Sequence, residues 1–177
     1  MKLLITLLFL FSQAVEASNF KSQAPKVADT LKKNLMGNLQ KQIAEHGVLK
    51  ALDFCHLNVK DLAQETAAQF KGAYEFGRVS HKVRNPNNSP KDWMEDYLNK
   101  FKDKKQGMND TAPFFHTLNN GKQVYLEPLW VAPMCLQCHG ENISKNVSNE
   151  ILKRYPQDKA RGFKPGDFRG FIWVKEK

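Results

Sequence analysis

FFHTLNNGKQVYLEPLWV, residues 114 to 131, is the stretch from which the fold is read. Two runs rich in aromatic and β-branched residues, FFHTL (114–118) and KQVYLEPLWV (122–131), flank Asn119-Asn120-Gly121. Gly and Asn tolerate the positive φ that tight hairpin turns demand, so this pattern predicts two antiparallel strands. Upstream, FGRVSHKV (76–83) alternates loosely and predicts a further strand, and RNPNN (84–88) has loop chemistry with asparagines in structural roles. Ser89 is expected to cap a helix that starts at Pro90 and runs to about Phe101.

Nearer the N-terminus, Val27, Leu31, Leu35, Leu39 and Ile43 recur every four residues, which predicts an amphipathic helix from Pro25 to about Glu45. Gly47 is its expected terminator. A second helix is expected from Val48 to Phe70, with Val48, Leu52, Val59 and Leu62 on one stripe. Downstream of the hairpin come a short helix around Val147 to Arg154 and breaks at Gly162, Pro165, Gly166 and Gly170. A last strand, FRGFIWVK (168–175), follows, and Asp158 and Asp167 read as turn and loop residues. Two long helices followed by antiparallel strands with short helices between them make an α+β domain.

The chain has 177 residues, enough for one domain with a proper core. MKLLITLLFLFSQAVEASNF opens with one positive residue, Lys2, then an apolar run from Leu3 to Phe11, then small residues around Ala17. This is a secretory leader pattern over residues 1–17. The run is too short to span a bilayer, which takes about 20 residues, and no later segment is apolar enough. The expectation is an exported mature chain, in a bacterial periplasm, forming a single domain over 18–177 with no transmembrane segment. An uncleaved anchor is the rival reading, because the leader carries one positive charge. Net charge is +9, but the lysines are scattered among acidic residues, the densest cluster being KFKDKK (100–105). That points to a solvated basic surface and away from nucleic acid, with docking to an acidic partner or an anionic membrane face as the alternative.

PMCLQCHG (133–140) follows the hairpin and holds Cys135, Cys138 and His139, two of the chain's three cysteines. A structural zinc site needs four ligands, and no second CxxC or HxxxH completes one. A thioredoxin-type pair belongs at a helix start in a βαβ unit, which is missing here. Covalent haem uses all three residues: two thiols bonded to the vinyl groups and the adjacent His as proximal iron ligand. One haem c per chain is therefore expected. Export agrees, because c-type haem is attached outside the bacterial cytoplasm.

With ALDFC (51–55), KVRNPNNSP (82–90), YLEPL (125–129), CLQCHG (135–140), YPQDKARGF (155–163) and GDFRG (166–170), the chain resembles a family of c-type haem proteins. Some members stand alone, and in others the domain is the sensor part of a histidine kinase. The resemblance covers about Leu31 to Val174. It implies a PAS-like fold, an antiparallel sheet with flanking helices and, here, a long N-terminal helical region. It also implies a cysteine thiolate as the second axial ligand, a role that ALDFC aligns with Cys55.

The residues by themselves leave that ligand open among Cys55, His56, His46, His81, His116 and five methionines. On a helix turning about 100° per residue, Cys55 lies about 40° and His56 about 60° from the centre of the apolar stripe. Either could face inward, and His56 is the alternative to Cys55. Arg78, Arg84, Tyr125 and Arg169 are candidates to meet the haem propionates or support the site, with salt bridges and loop anchoring as the plainer roles. Two protein ligands leave no position for substrate. That favours a redox or diatomic-gas sensor, or an electron carrier, over an enzyme such as a peroxidase. His81 and His116 are the residues a peroxidase reading would cast as distal acid–base groups. Either leading function needs a redox or signalling partner that the chain does not identify.

Overall fold

The computed structural model describes the backbone of residues 2–57 and 59–177, and side chains outside residues 1–18 and 56–60. The leader reading of residues 1–17 and the alternative ligand His56 lie outside the described side chains. Helix α1 spans Lys2–Leu57, α2 Val59–Gln69, and α3 Asp92–Phe101. The four-residue α4 is Leu136–His139, and α5 is Lys145–Arg154. Strands β1 (Tyr74–Val79), β2 (Phe114–Thr117), β3 (Gln123–Trp130) and β4 (Phe168–Glu176) form one antiparallel sheet in the order β1-β4-β3-β2. The chain is thus α+β, with a four-stranded antiparallel sheet and a long N-terminal helix.

The expected hairpin is β2–β3, in which Phe115 faces Tyr125 and Thr117 faces Gln123. Alternation along the strands divides the core into two layers. On one face, Tyr125, Ile172 and Val174 meet Phe20, Ala24, Val27, Ala28 and Leu31 of α1. On the other, Val79, Val124, Leu126, Phe168 and Phe171 meet Met94, Leu98 and Phe101 of α3.

Three elements depart from the sequence reading. The first helix does not begin at Pro25 but passes through it. Proline costs an intrahelical hydrogen bond, and burial of Phe20 and Ala24 on the preceding turn outweighs that cost. Ser89 does not cap α3. It closes the 3-10 turn Pro86–Asn88, donating its N–H to Pro86 O, and Lys91 precedes α3 without a side-chain cap. The upstream strand ends at Val79, because Ser80 turns aside, its hydroxyl donating to Arg169 O at 2.7 Å and accepting from Lys82 N at 3.1 Å. Gly47 interrupts α1 as expected, through a glycine-only backbone conformation (φ 77°, ψ 169°), and the axis kinks there.

β3 carries the site. After a register shift at Leu129/Trp130 it leaves the sheet, and Val131 exchanges backbone hydrogen bonds with the segment before β4 (Val131 N to Asp167 O, Gly166 N to Val131 O). The segment 133–140 is therefore held beyond the sheet's end. No helix among the described residues is long and apolar enough to cross a membrane.

Candidate functional site

Residues 133–140 fold as a 3-10 turn, Pro133–Cys135, running directly into α4. Proline sets the entry, and Gly140 closes the exit by donating its N–H to Leu136 O at 2.9 Å. The chain then returns alongside. Phe163 N donates to His139 O and Gly162 N to Gly140 O, both at 3.0 Å. Cys135 and Leu136 pack on Val131, Ala160 and Phe163. Cys138 faces the other way, into a cluster of Val48, Leu52, Ile143, Val147 and Ile151. This second cluster joins the motif to the part of α1 beyond Gly47, which Arg154 of α5 anchors through Asp53.

All three cysteines are free. Burial pushes the Cys138 thiol up to about 11 against the pull of Arg84, and Cys55 adds to the rise. Burial likewise raises Cys55, opposed by Arg78 and Arg84. Cys55, 80 residues upstream of Cys135 by their numbers (135 − 55), is thus brought within electrostatic reach of the motif.

His139 donates from Nδ1 to the carbonyl oxygen of Ala160 at 2.8 Å, and its ring meets Phe163 edge-on. Burial, with the charges of Arg169 and Arg84, holds it well below the usual histidine range, so the imidazole is neutral. Nε2 has no hydrogen-bond partner among the described residues. A metal-bound histidine needs this arrangement: one nitrogen donating to a fixed acceptor, the other bare. No group of three or more His, Cys, Asp or Glu residues able to hold a bare ion occurs among the described residues.

Arg78, Arg84 and Arg169 surround this neighbourhood. Burial, then Arg84 and Arg78, lower Arg169 to about 9. Arg169 donates to Ser80 Oγ at 2.6 Å and lies over the Phe163 ring, and Arg78 sits near Cys55 and Tyr155. Neither is directly paired with a carboxylate among the described residues, although Asp158 acts on Arg169 from a distance. Arg84 is different: it pairs with Asp158 through Nε and Nη2 and donates to Cys138 O at 2.6 Å.

Other candidates lie elsewhere. Tyr125 is buried in the α1 layer, donating to Glu127, which pairs with Lys32. His116 stacks on Trp93 and shares a 2.7 Å hydrogen bond with Tyr97, on the α3 face of the sheet. His46 is exposed beside Glu45. His81 stacks on Phe168, and its edge contact with Phe163 puts it behind the ring that His139 also touches. Asp158 closes the turn 155–158, as expected, by donating its N–H to Tyr155 O, but its carboxylate is fully buried and bound by two arginines. Its sequence signal is slight, a lone acid among Arg154, Lys159 and Arg161.

Residues 10–176 match the family described as Tll0287-like, Tll0287. The chain belongs to the Tll0287-like family. The crystal structure of the cyanobacterial heme-protein Tll0287 is 27% identical, covers 90% of this chain and 92% of its own, and superposes with a TM-score of 0.58. No curated protein matches the chain. Identity and coverage at this level place the Tll0287-like chain in a heme-protein family, with the α+β architecture shared over nearly its whole length.

Proposed function

We propose that this chain is an exported, monohaem c-type protein of PAS-like fold. Cys135 and Cys138 bind one haem covalently, His139 is the proximal iron ligand, and Cys55 is the distal ligand. The observation that carries the reading is His139, neutral, locked through Nδ1 onto the Ala160 carbonyl and with Nε2 unpartnered among the described residues, directly after two free thiols that pack into different clusters. Arg78 and Arg169 are suited to the two propionates, because each is a half-buried cation without a carboxylate partner among the described residues. Arg84 supports the motif from behind. Haem so held supplies a one-electron couple.

With both axial positions taken by side chains, the chain has no place for a substrate, and sensing of redox state or a diatomic gas is the function we assign. Cys55 sits on the helical segment after the Gly47 kink, so a change of ligand there acts on a segment already set off from the rest of α1. Its signal passes to a partner protein. An electron carrier is the second reading, favoured by the cations around the motif, which suit an acidic redox partner.

The test is spectroscopic. Protein made in a host competent for cytochrome maturation should keep its pigment on a denaturing gel, and Cys135→Ala with Cys138→Ala should abolish it. The ferric protein should give a low-spin thiolate EPR signal that is lost in Cys55→Ala. An unchanged signal in that variant removes Cys55 from the iron. Failure of the reduced protein to bind carbon monoxide, together with rapid electron exchange with small acceptors, would transfer the assignment to the carrier.

A further inference from the structure

The Ala160 carbonyl that orients His139 serves a second donor. Arg84 Nη2 reaches it at 3.1 Å, besides donating to Cys138 O. Asp158 accepts Arg84 Nε at 2.9 Å and Nη2 at 3.1 Å, Arg161 Nε at 2.7 Å, and the N–H of Ala160 at 2.9 Å. The carboxylate is wholly buried and the Arg84 side chain 11% exposed. Burial by itself would raise Asp158, but the hydrogen bonds and charge of the two arginines and the Ala160 N–H hold it below the usual range. One residue, Ala160, thus has a carboxylate on its N–H and a guanidinium on its carbonyl, and that carbonyl is the acceptor for His139.

We propose that Arg84 and Asp158 are positioning residues that set the electron-donating strength of His139, and so the reduction potential of the bound haem, in opposite senses. The proposal rests on the haem reading above. A carbonyl oxygen shared with a cationic donor has less electron density for the His139 N–H, and the imidazole gives less to the iron. The guanidinium charge also disfavours the more positive, oxidised centre. Both effects of Arg84 raise the potential. Asp158 neutralises that charge and draws the guanidinium toward itself, so Asp158 lowers the potential. A network that merely braces the loop would act differently: any cut would loosen the motif and move the potential one way.

The experiment is a spectroelectrochemical titration of haem-loaded protein, with haem staining on a denaturing gel for every variant. Asp158→Asn should raise the midpoint potential, and Arg84→Gln should lower it. Arg161→Gln, at a more exposed position, should lower it by less, and it supplies the cation-removing arm if Arg84→Gln does not fold. Arg84→Gln combined with Asp158→Asn should return toward wild type. Shifts of one sign in all loaded variants, or no shift, would overturn the proposal. Wild-type protein without denaturation-resistant haem would instead bring down the underlying reading, and this is seen on the gel before any potential is measured.

Discussion

The His81 imidazole lies between Phe163 and Phe168 with a buried Nδ1 that has no hydrogen-bond partner among the described residues. Burial lowers its pKa to about 4, and Arg169, Lys82 and Lys102 add to the effect against a weaker opposing pull from Asp103. The unfolded chain takes up this proton near pH 6.5, whereas the folded chain resists it until about pH 4. Between those values the unfolded state binds more protons. Its contribution to stability is therefore complete above about pH 6.5 and is lost as pH falls toward 4, at no more than about 1.4 kcal/mol per pH unit. His81→Phe keeps the ring contacts and removes the titration, so its urea midpoint should fall less across this window than that of wild type. Parallel pH profiles would show that His81 is not the group responsible. At this scale the sequence was readable where chemistry forces residues to be contiguous. On the haem reading proposed above, Cys135, Cys138 and His139 serve one group and must share one turn, which is why their spacing singles them out. Asp158 has no such constraint: its partner Arg84 is 74 residues away, and only the folded chain joins them.

Strand β4 shows what an element can require of one position. Gly170 has φ 146°, and a Cβ there would stand 2.0 Å from Val79 O and 3.1 Å from Ser80 Cα, both backbone atoms of the neighbouring chain segment. No side-chain rotation relieves that clash. Gly170→Ala should therefore destabilise the protein by about 3 kcal/mol or more, read as a shift in denaturant midpoint. A loss under about 1 kcal/mol would mean that β1 and β4 can separate at little cost. Element existence was legible because periodicity follows from burial: the four-residue spacing in α1 and the turn at 119–121 are direct consequences of packing and backbone geometry. The beginnings of elements were harder to read. Pro25 and Ser89 are good local start signals, yet burial of Phe20 and Ala24 overrides the first, and the turn at 86–88 takes the second.

For the whole molecule, the two larger apolar clusters lie on the faces of the sheet, whereas the motif rests on two small ones beyond its end. Stability is therefore unevenly distributed. In the variant lacking both motif cysteines, amides of the sheet and α3 should keep their protection from hydrogen exchange. On the haem reading proposed above, those of residues 48–55 and 133–163 should lose it, since the variant then lacks the bound group that would pack against the motif and meet Arg78 and Arg169. Uniform loss across the chain would show a single cooperative unit. The layered α+β plan was legible from the order of elements, but which end of the sheet carries the site was not. That depends on the register shift at Leu129/Trp130 and on the return of residues 160–163 alongside the motif.

The strand order β1-β4-β3-β2 also bears on the timing of assembly. The last of the four strands in chain order is an interior one, and β1 and β3 have no contact in the sheet until it inserts between them. The β2–β3 hairpin can close early, since its turn is local, but the rest of the sheet waits for residues 168–176. The segment that covers His139, residues 160–163, emerges only shortly before that strand. The nascent chain therefore passes through an interval in which Cys135, Cys138 and His139 are already made but nothing has yet packed over them. If a haem is joined to both thiols, as proposed above, the attachment has its best access then, and faster closure of β4 would shorten the time available to it.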